Sequence, residues 1–149
     1  MASLAGAIAA MRAHFVTGWT TPIAYPNGER PAGIWPPQVD GKPVPWAYFE
    51  VLPSDSDYRG VGLPGDHVWL TRGNIFINIY CAQGAGVSPA LELAEAAGEK
   101  FRAQTLYRDE AGAKVVCRAP ICDGGGPDAE NGNVFRVTTT IPFEFFFRK

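Results

Sequence analysis

Apolar positions recur along this chain with two periods, one near 3.6 residues and one of two, and the switch between them marks out its elements. Leu4, Ile8, Met11 and Phe15 fall at i, i+4, i+7 and i+11, along one stripe of a first helix. Ser3 suits its N-cap and Gly18 its stop. A helix of about a dozen residues is marginal in water, so this one must dock on another element. Two runs suited to extended structure follow, 22–25 and 46–52. They are separated by NGERPAGIWPPQVDGKPVP, whose prolines and glycines read as successive turns.

The clearest period of two lies in GNIFINIYCA, where Ile75, Ile77, Ile79 and Cys81 face one way and Phe76, Asn78 and Tyr80 the other. Val68 and Leu70 are out of phase with the isoleucines, which predicts a bulge or kink at Gly73. After GAG, Ser88 is placed to cap a second helix with Pro89 at its first position. Leu91, Ala94, Phe101 and Thr105 carry its apolar stripe to about Tyr107, a length of about 28 Å at the helical rise. The remainder reads as a β-hairpin. Val115, Cys117, Ala119 and Ile121 alternate on its first arm, and GGGPDAENGN connects it to a second arm from Asn133 to Arg148. On that arm Phe143, Phe145 and Phe147 share a face with Phe135, Val137, Thr139 and Ile141. Phe146 points the other way, so this tip needs cover on both faces. The expectation is one α+β domain over 1–149, a mainly antiparallel sheet of four to five strands with two helices on it, in the order α-β-β-α-β-β.

Composition narrows the classes without naming a function. The chain has 149 residues, 46% apolar and 19% charged, with a net charge of −2, which suits a globular domain and argues against binding nucleic acid through a basic surface. Its Ala-rich start lacks a basic segment ahead of the apolar part and holds Arg12 within it, so it reads as a mature helix rather than a leader. No run approaches the roughly 18 apolar residues of a membrane helix. Cys81, Cys117 and Cys122 are an odd set in a chain able to fold unaided, which fits a reducing compartment.

The candidate chemistries each lack a part. Gly84-Ala85-Gly86 after a strand imitates a dinucleotide-binding turn, but Pro89 stands where the third glycine belongs. Asp55, Asp57, Gly60 and Asp66 imitate a calcium loop, with Arg59 at a position that should donate oxygen. Cys117 and Cys122 are separated by four residues, and His14 and His67 lie far from them without metal-ligand spacing. None of Ser3, Ser54, Ser56 and Ser88 sits in a nucleophile elbow. No catalytic residue, metal or cofactor is therefore assigned. Aromatics make up 12% of the chain, and Trp19, Trp35, Tyr58 and Phe146 fall in loops or at strand ends, where they either cap the core or meet another subunit.

IAYPN followed by a Trp- and Pro-containing loop, then PWAYFEVLP, TRGNIFINIYCAQGAG and ALELAEAAGEKF, resembles in that order the tail-terminator or tail-completion proteins of long-tailed phages and gene transfer agents. The resemblance covers about residues 4–106 and rests on order and spacing. Arg72 and Gly73 are contiguous, where the family spaces an Arg-x-Gly step, and the C-terminal hairpin matches only in general pattern. The resemblance implies a hexameric ring that caps the head-proximal end of the tail tube and joins the head connector, with DNA passing through but not bound specifically. It places the chain in the host cytoplasm during assembly, then in the virion tail, without a membrane.

A closed ring needs two different complementary patches on each subunit. Trp35, Tyr58, Arg59, Arg72, Phe143, Phe145, Phe146 and Phe147 are the candidate subunit or partner contacts, and Glu50, Asp55 and Asp57 the candidate lumen-facing acids. A neck protein that joins head to tail is the near alternative. A small-molecule-binding domain, with a pocket at Tyr48, Tyr80 or Asn78, is the distant one.

Overall fold

The isoleucine alternation and the C-terminal phenylalanine alternation belong to two strands of fifteen residues each, which pair along their whole length. The computed structural model describes residues 2–29, 31, 33–60, 62–130 and 133–149. The elements are α1 (Leu4–Val16), β1 (Ile23–Ala24), β2 (Gln38–Val39), β3 (Lys42–Pro43), β4 (Trp46–Tyr58), β5 (Val68–Ala82), α2 (Ser88–Glu99), β6 (Thr105–Leu106), β7 (Lys114–Cys117), β8 (Ile121–Cys122), β9 (Gly126–Pro127) and β10 (Val134–Arg148). The fold is mixed α+β. An eight-stranded sheet runs β1-β4-β5-β10-β7-β6, with β8 and β9 also paired to β10, while β2 and β3 form a separate ribbon. Every pairing is antiparallel except β1 with β4. The sheet is thus larger than the four to five strands expected, and the order is not α-β-β-α-β-β, since among the described residues five short or long strands follow each helix. The extra strands, β6, β8 and β9, are two residues long each, and such short pieces leave no periodic signal.

One row of residues fixes where the helices lie. Phe49, Ile77 and Thr139 are paired neighbours on β4, β5 and β10, so their side chains share a face. Phe15 of α1 stacks on Phe49 at 5.2 Å, and Gly98 of α2 lies so close to Thr139 that a Cβ would stand 3.0 Å from its hydroxyl. Both helices therefore cover the same face. The core between them holds Met11, Phe15, Phe49, Ile77, Phe101 and Phe143, all buried. The opposite face carries Trp46, Tyr48, Glu50, Phe76, Asn78 and Tyr80, and most of it is half-buried.

Several expectations shift in detail. Ser3 does cap α1, its hydroxyl accepting from the Gly6 amide at 3.1 Å. The buried stripe of that helix is Ala7, Met11 and Phe15, while Leu4 is 36% exposed and Ile8 half-buried. Small residues explain the rotation, because Gly6 lies against the Tyr107 ring at a separation no side chain would permit. Ser88 opens α2 from inside the helix: Val87 is the cap and no side chain bonds there. That helix ends at Glu99, well short of Tyr107. Phe101 donates its amide to Gly98, Ala103 turns left-handed at φ 53, and Thr105 and Leu106 leave as β6.

Gly73 does not kink its own strand, since the β5–β10 ladder is continuous from Val68 to Ala82. The irregularity falls on the neighbour. β4 slips by one residue between Pro53 and Asp55, directly opposite Gly73. On the hairpin's first arm Ala119 is exposed and Ile121 is 69% exposed, because the chain breaks at Pro120, which packs on Gly98.

Candidate functional site

The uncovered sheet face is built from rows, each dictated by strand register. Trp46, Tyr80 and Arg136 form one, Tyr48, Asn78 and Thr138 the next, and Asp55, Arg72 and Glu144 a third. The second is tied by the Thr138 hydroxyl donating to Asn78 Oδ1 at 2.6 Å. In the third, Arg72 pairs with Asp55 at 2.8 Å and Arg118, just past β7, with Glu144 at 2.6 Å, so charge alternates in sign from Asp55 to Arg118. These pairs are solvent-exposed and contribute little to folding. Their fixed pattern is better suited to selecting a partner than to holding the fold.

At one end of that face lies a hollow of about 670 Å³, lined by Tyr25, Trp35, Trp46, Tyr48 and Tyr80. Trp46 stacks on Tyr80 at 4.1 Å and 12° between planes, and Trp35 meets Trp46 edge-on at 4.7 Å. Glu29, Asp128, Glu130 and Arg136 complete the wall. Asp128 is 9% exposed and stands 3.9 Å from Arg136. Burial is the main force raising the phenol pKa values of Tyr25, Tyr48 and Tyr80. At Tyr80 the hydrogen bond with Arg136 pulls the other way, and the Asp128 and Glu130 carboxylates add to the rise. All three rings stay neutral at physiological pH.

The sequence-derived candidates separate into groups. Trp35 belongs to the hollow. Tyr58, 44% exposed, sits at the far end against His67 and Trp69, eleven residues along β5 from Tyr80, or about 36 Å. Arg59 is exposed just beyond β4, and Arg72 is committed to Asp55. Phe143 and Phe145 are each 1% exposed within the core, so neither is available to another subunit. The reason is topological: β10 lies at the centre of the sheet between β5 and β7, not at an edge. Phe147 stacks on Phe145 at 5.0 Å, and Phe146 is half-buried with the Lys114 ammonium 5.6 Å above its ring. The last strand thus finds cover on both faces inside its own chain. Glu50 is half-buried on the open face, and Asp57 is exposed with a carboxylate oxygen accepting from the Tyr58 amide.

No family model matches the chain, and no curated protein matches it. Residues and geometry therefore carry the functional reading.

Other chemistry is thin. Asp55 and Asp66 are paired with Arg72 and Arg148, and among the described residues no group of three or more His, Cys, Asp or Glu could hold a metal ion. The Gly84–Gly86 turn leaves a strand whose partners are both antiparallel, unlike the parallel unit that a dinucleotide fold requires. Among the described residues no helix is long and apolar enough to cross a membrane. Of the pocket candidates Tyr48, Tyr80 and Asn78, the two tyrosines line the hollow while Asn78 is buried beside it against Thr138; Trp46, which the W-x-Y alternation on β4 offers, was not among them. The sequence reading also missed Glu29, Asp128, Glu130 and Arg136, which come from separate loops and strands.

Burial pushes the Cys117 thiol up from 9.0 to about 11 and raises that of Cys81 as well. A thiol with a raised folded pKa is protonated in both states at neutral pH; the loss begins where the unfolded chain ionises and ends at the folded value. Stability is expected to fall between about pH 9 and 11, and to fall less steeply in Cys117→Ala. Denaturant midpoints measured across that window check this, and an unchanged slope in the variant would contradict it.

Proposed function

We propose that this chain is a structural assembly protein, a tail terminator of a long-tailed phage or related particle that closes the head-proximal end of the tail tube as a hexameric ring. The observation that carries the reading is the second face of the sheet. Both helices lie on one side, and the other presents aromatic and alternately charged rows that this chain leaves half-buried. Such a surface suits contact with another protein. The outer edge of β4 adds to it. Among the described residues, β1 pairs with that edge only at Ala47 and Tyr48, so the backbone from Phe49 to Tyr58 is open on that side. Pro53, the bulge, Asp55 and Asp57 blunt it against indiscriminate strand pairing.

The mechanism is steric. One patch copies the contacts of a tube subunit and the other lacks the groups that would add a further ring. Ring closure needs two unlike surfaces; the β4 edge and the Trp35 loop, on different parts of the subunit, are the two proposed. Glu50 and Asp57 are the acids offered to a channel, and Asp55 brings no net charge because Arg72 neutralises it. DNA then slides past without being held.

Retention of the chain on immobilised tail-tube protein and on immobilised head-connector protein tests the assignment. Retention on the tube supports a terminator, retention on the connector alone supports a neck protein, and retention on neither defeats both. A second reading, a small-molecule-binding α+β domain, draws on one observation, the hollow that includes Tyr48 and Tyr80.

A further inference from the structure

We infer that the aromatic hollow at the Trp46–Tyr80 end of the sheet is a receptor for a basic side chain, an arginine above all, presented by another polypeptide. The inference does not depend on the tail reading, since it concerns a hollow lined by residues of one chain. Three features point to a cation. The hollow is walled by five aromatic rings, whose faces carry the negative part of their quadrupoles and attract a positive group within about 6 Å. Among the described residues its charged lining is unbalanced, with three carboxylates, Glu29, Asp128 and Glu130, against the guanidinium of Arg136. Arg136 is drawn to Asp128 and Tyr80, whereas Glu29 and Glu130 are exposed and have no ion-pair partner among the described residues.

The same chemistry already operates beside the site. The Arg12 guanidinium lies 4.8 Å from the centre of the Tyr25 ring, so one of the lining aromatics holds a planar cation from within the chain. Counting Arg12 with the site still leaves, among the described residues, three carboxylates against two guanidiniums. A neutral guest would gain the ring contacts but leave Glu29 and Glu130 unanswered. A carboxylate or phosphate would meet them as like charges. Arginine fits better than lysine because its planar head stacks on an aromatic face while its fork reaches a carboxylate. A volume of about 670 Å³ accommodates such a side chain together with the backbone on either side of it.

The test uses the whole chain and two small probes, N-acetyl-arginine methylamide and N-acetyl-citrulline methylamide, which share shape and differ in charge. Tryptophan fluorescence follows the titration, because Trp35 and Trp46 form part of the wall. The arginine probe is expected to saturate in the millimolar range and to bind at least about ten-fold more tightly than the citrulline probe. Glu130→Gln, an exposed position, is expected to weaken the arginine probe about three-fold, leaving the citrulline probe and the melting temperature unchanged. Equal binding of the two probes would overturn the proposal in favour of a neutral ligand. Saturation by neither up to roughly 50 mM, about 2 kcal/mol of binding by the usual conversion, would overturn it outright.

Discussion

Replacing Phe49 by alanine is expected to destabilise the fold by about 3–5 kcal/mol. The ring is fully buried and stands where three elements meet. It stacks on Phe15 of α1 at 5.2 Å and 18° and lies 6.2 Å from Phe101, which follows α2, while Tyr25 meets it edge-on. Truncation removes the transfer energy of the ring and leaves a cavity that these rigid aromatics cannot collapse to fill. It also loosens α1, whose thirteen residues are marginal alone and rest on this contact. For a chain of this length the melting temperature should fall by roughly 10 °C, with amide exchange in α1 rising before that in β5 and β10. Phe49→Leu should recover more than half of the loss, because volume outweighs the aromatic pair term of about 1 kcal/mol. A melting temperature within about 2 °C of wild type for the alanine variant would show that α1 is held elsewhere.

Gly73→Ala is the second large effect, expected at about 3 kcal/mol, the upper end for overpacking. A Cβ there would stand 2.6 Å from the Leu52 carbonyl oxygen, 2.8 Å from the Pro53 Cα and 2.9 Å from the Phe143 ring. Two of the three obstacles are backbone, so no rotamer change relieves them. Relief requires β4 to move outward at the point where it slips register against β5, which disturbs the blunted edge proposed for assembly. Gly124→Ala is the control, since a Cβ at Gly124 meets nothing within 4 Å, and its effect should stay within about 0.5 kcal/mol. Chemical denaturation of the three proteins measures this. Equal stabilities would mean that the bulge is soft and that Gly73 sets no spacing.

Which features were legible in the sequence follows from the range over which each is encoded. The period of two in β5 and β10 is local, and it reads through because each strand buries one face against the helices and leaves the other half open. The α1 cap at Ser3 is equally local. The α1 face was misread because its interior side is lined by Gly6 and Ala7, and the close approach of Gly6 to Tyr107 depends on a residue a hundred positions away, just after β6. The end of α2 was misread for a similar reason: Thr105 continues an apolar spacing but is claimed by pairing with Val116. Gly73 was recognised as special, yet its effect appears on β4, which only register reveals. The Phe-rich end looked like an exposed patch because its neighbours, β5 and β7 beside it, Tyr107 on Phe145 and Lys114 over Phe146, lie in distant sequence. The hollow was half legible. Its strand aromatics alternate in plain view, while Asp128 and Glu130 are brought to it by a loop whose path no local pattern sets.

The most direct test of assembly by shape is tube length. Tail-tube protein is polymerised alone and with this chain, and contour lengths and tube ends are measured in electron micrographs. Shorter tubes with an added ring at one end, and no further growth from it, are expected. Tubes of unchanged length with bare ends would contradict assembly by shape.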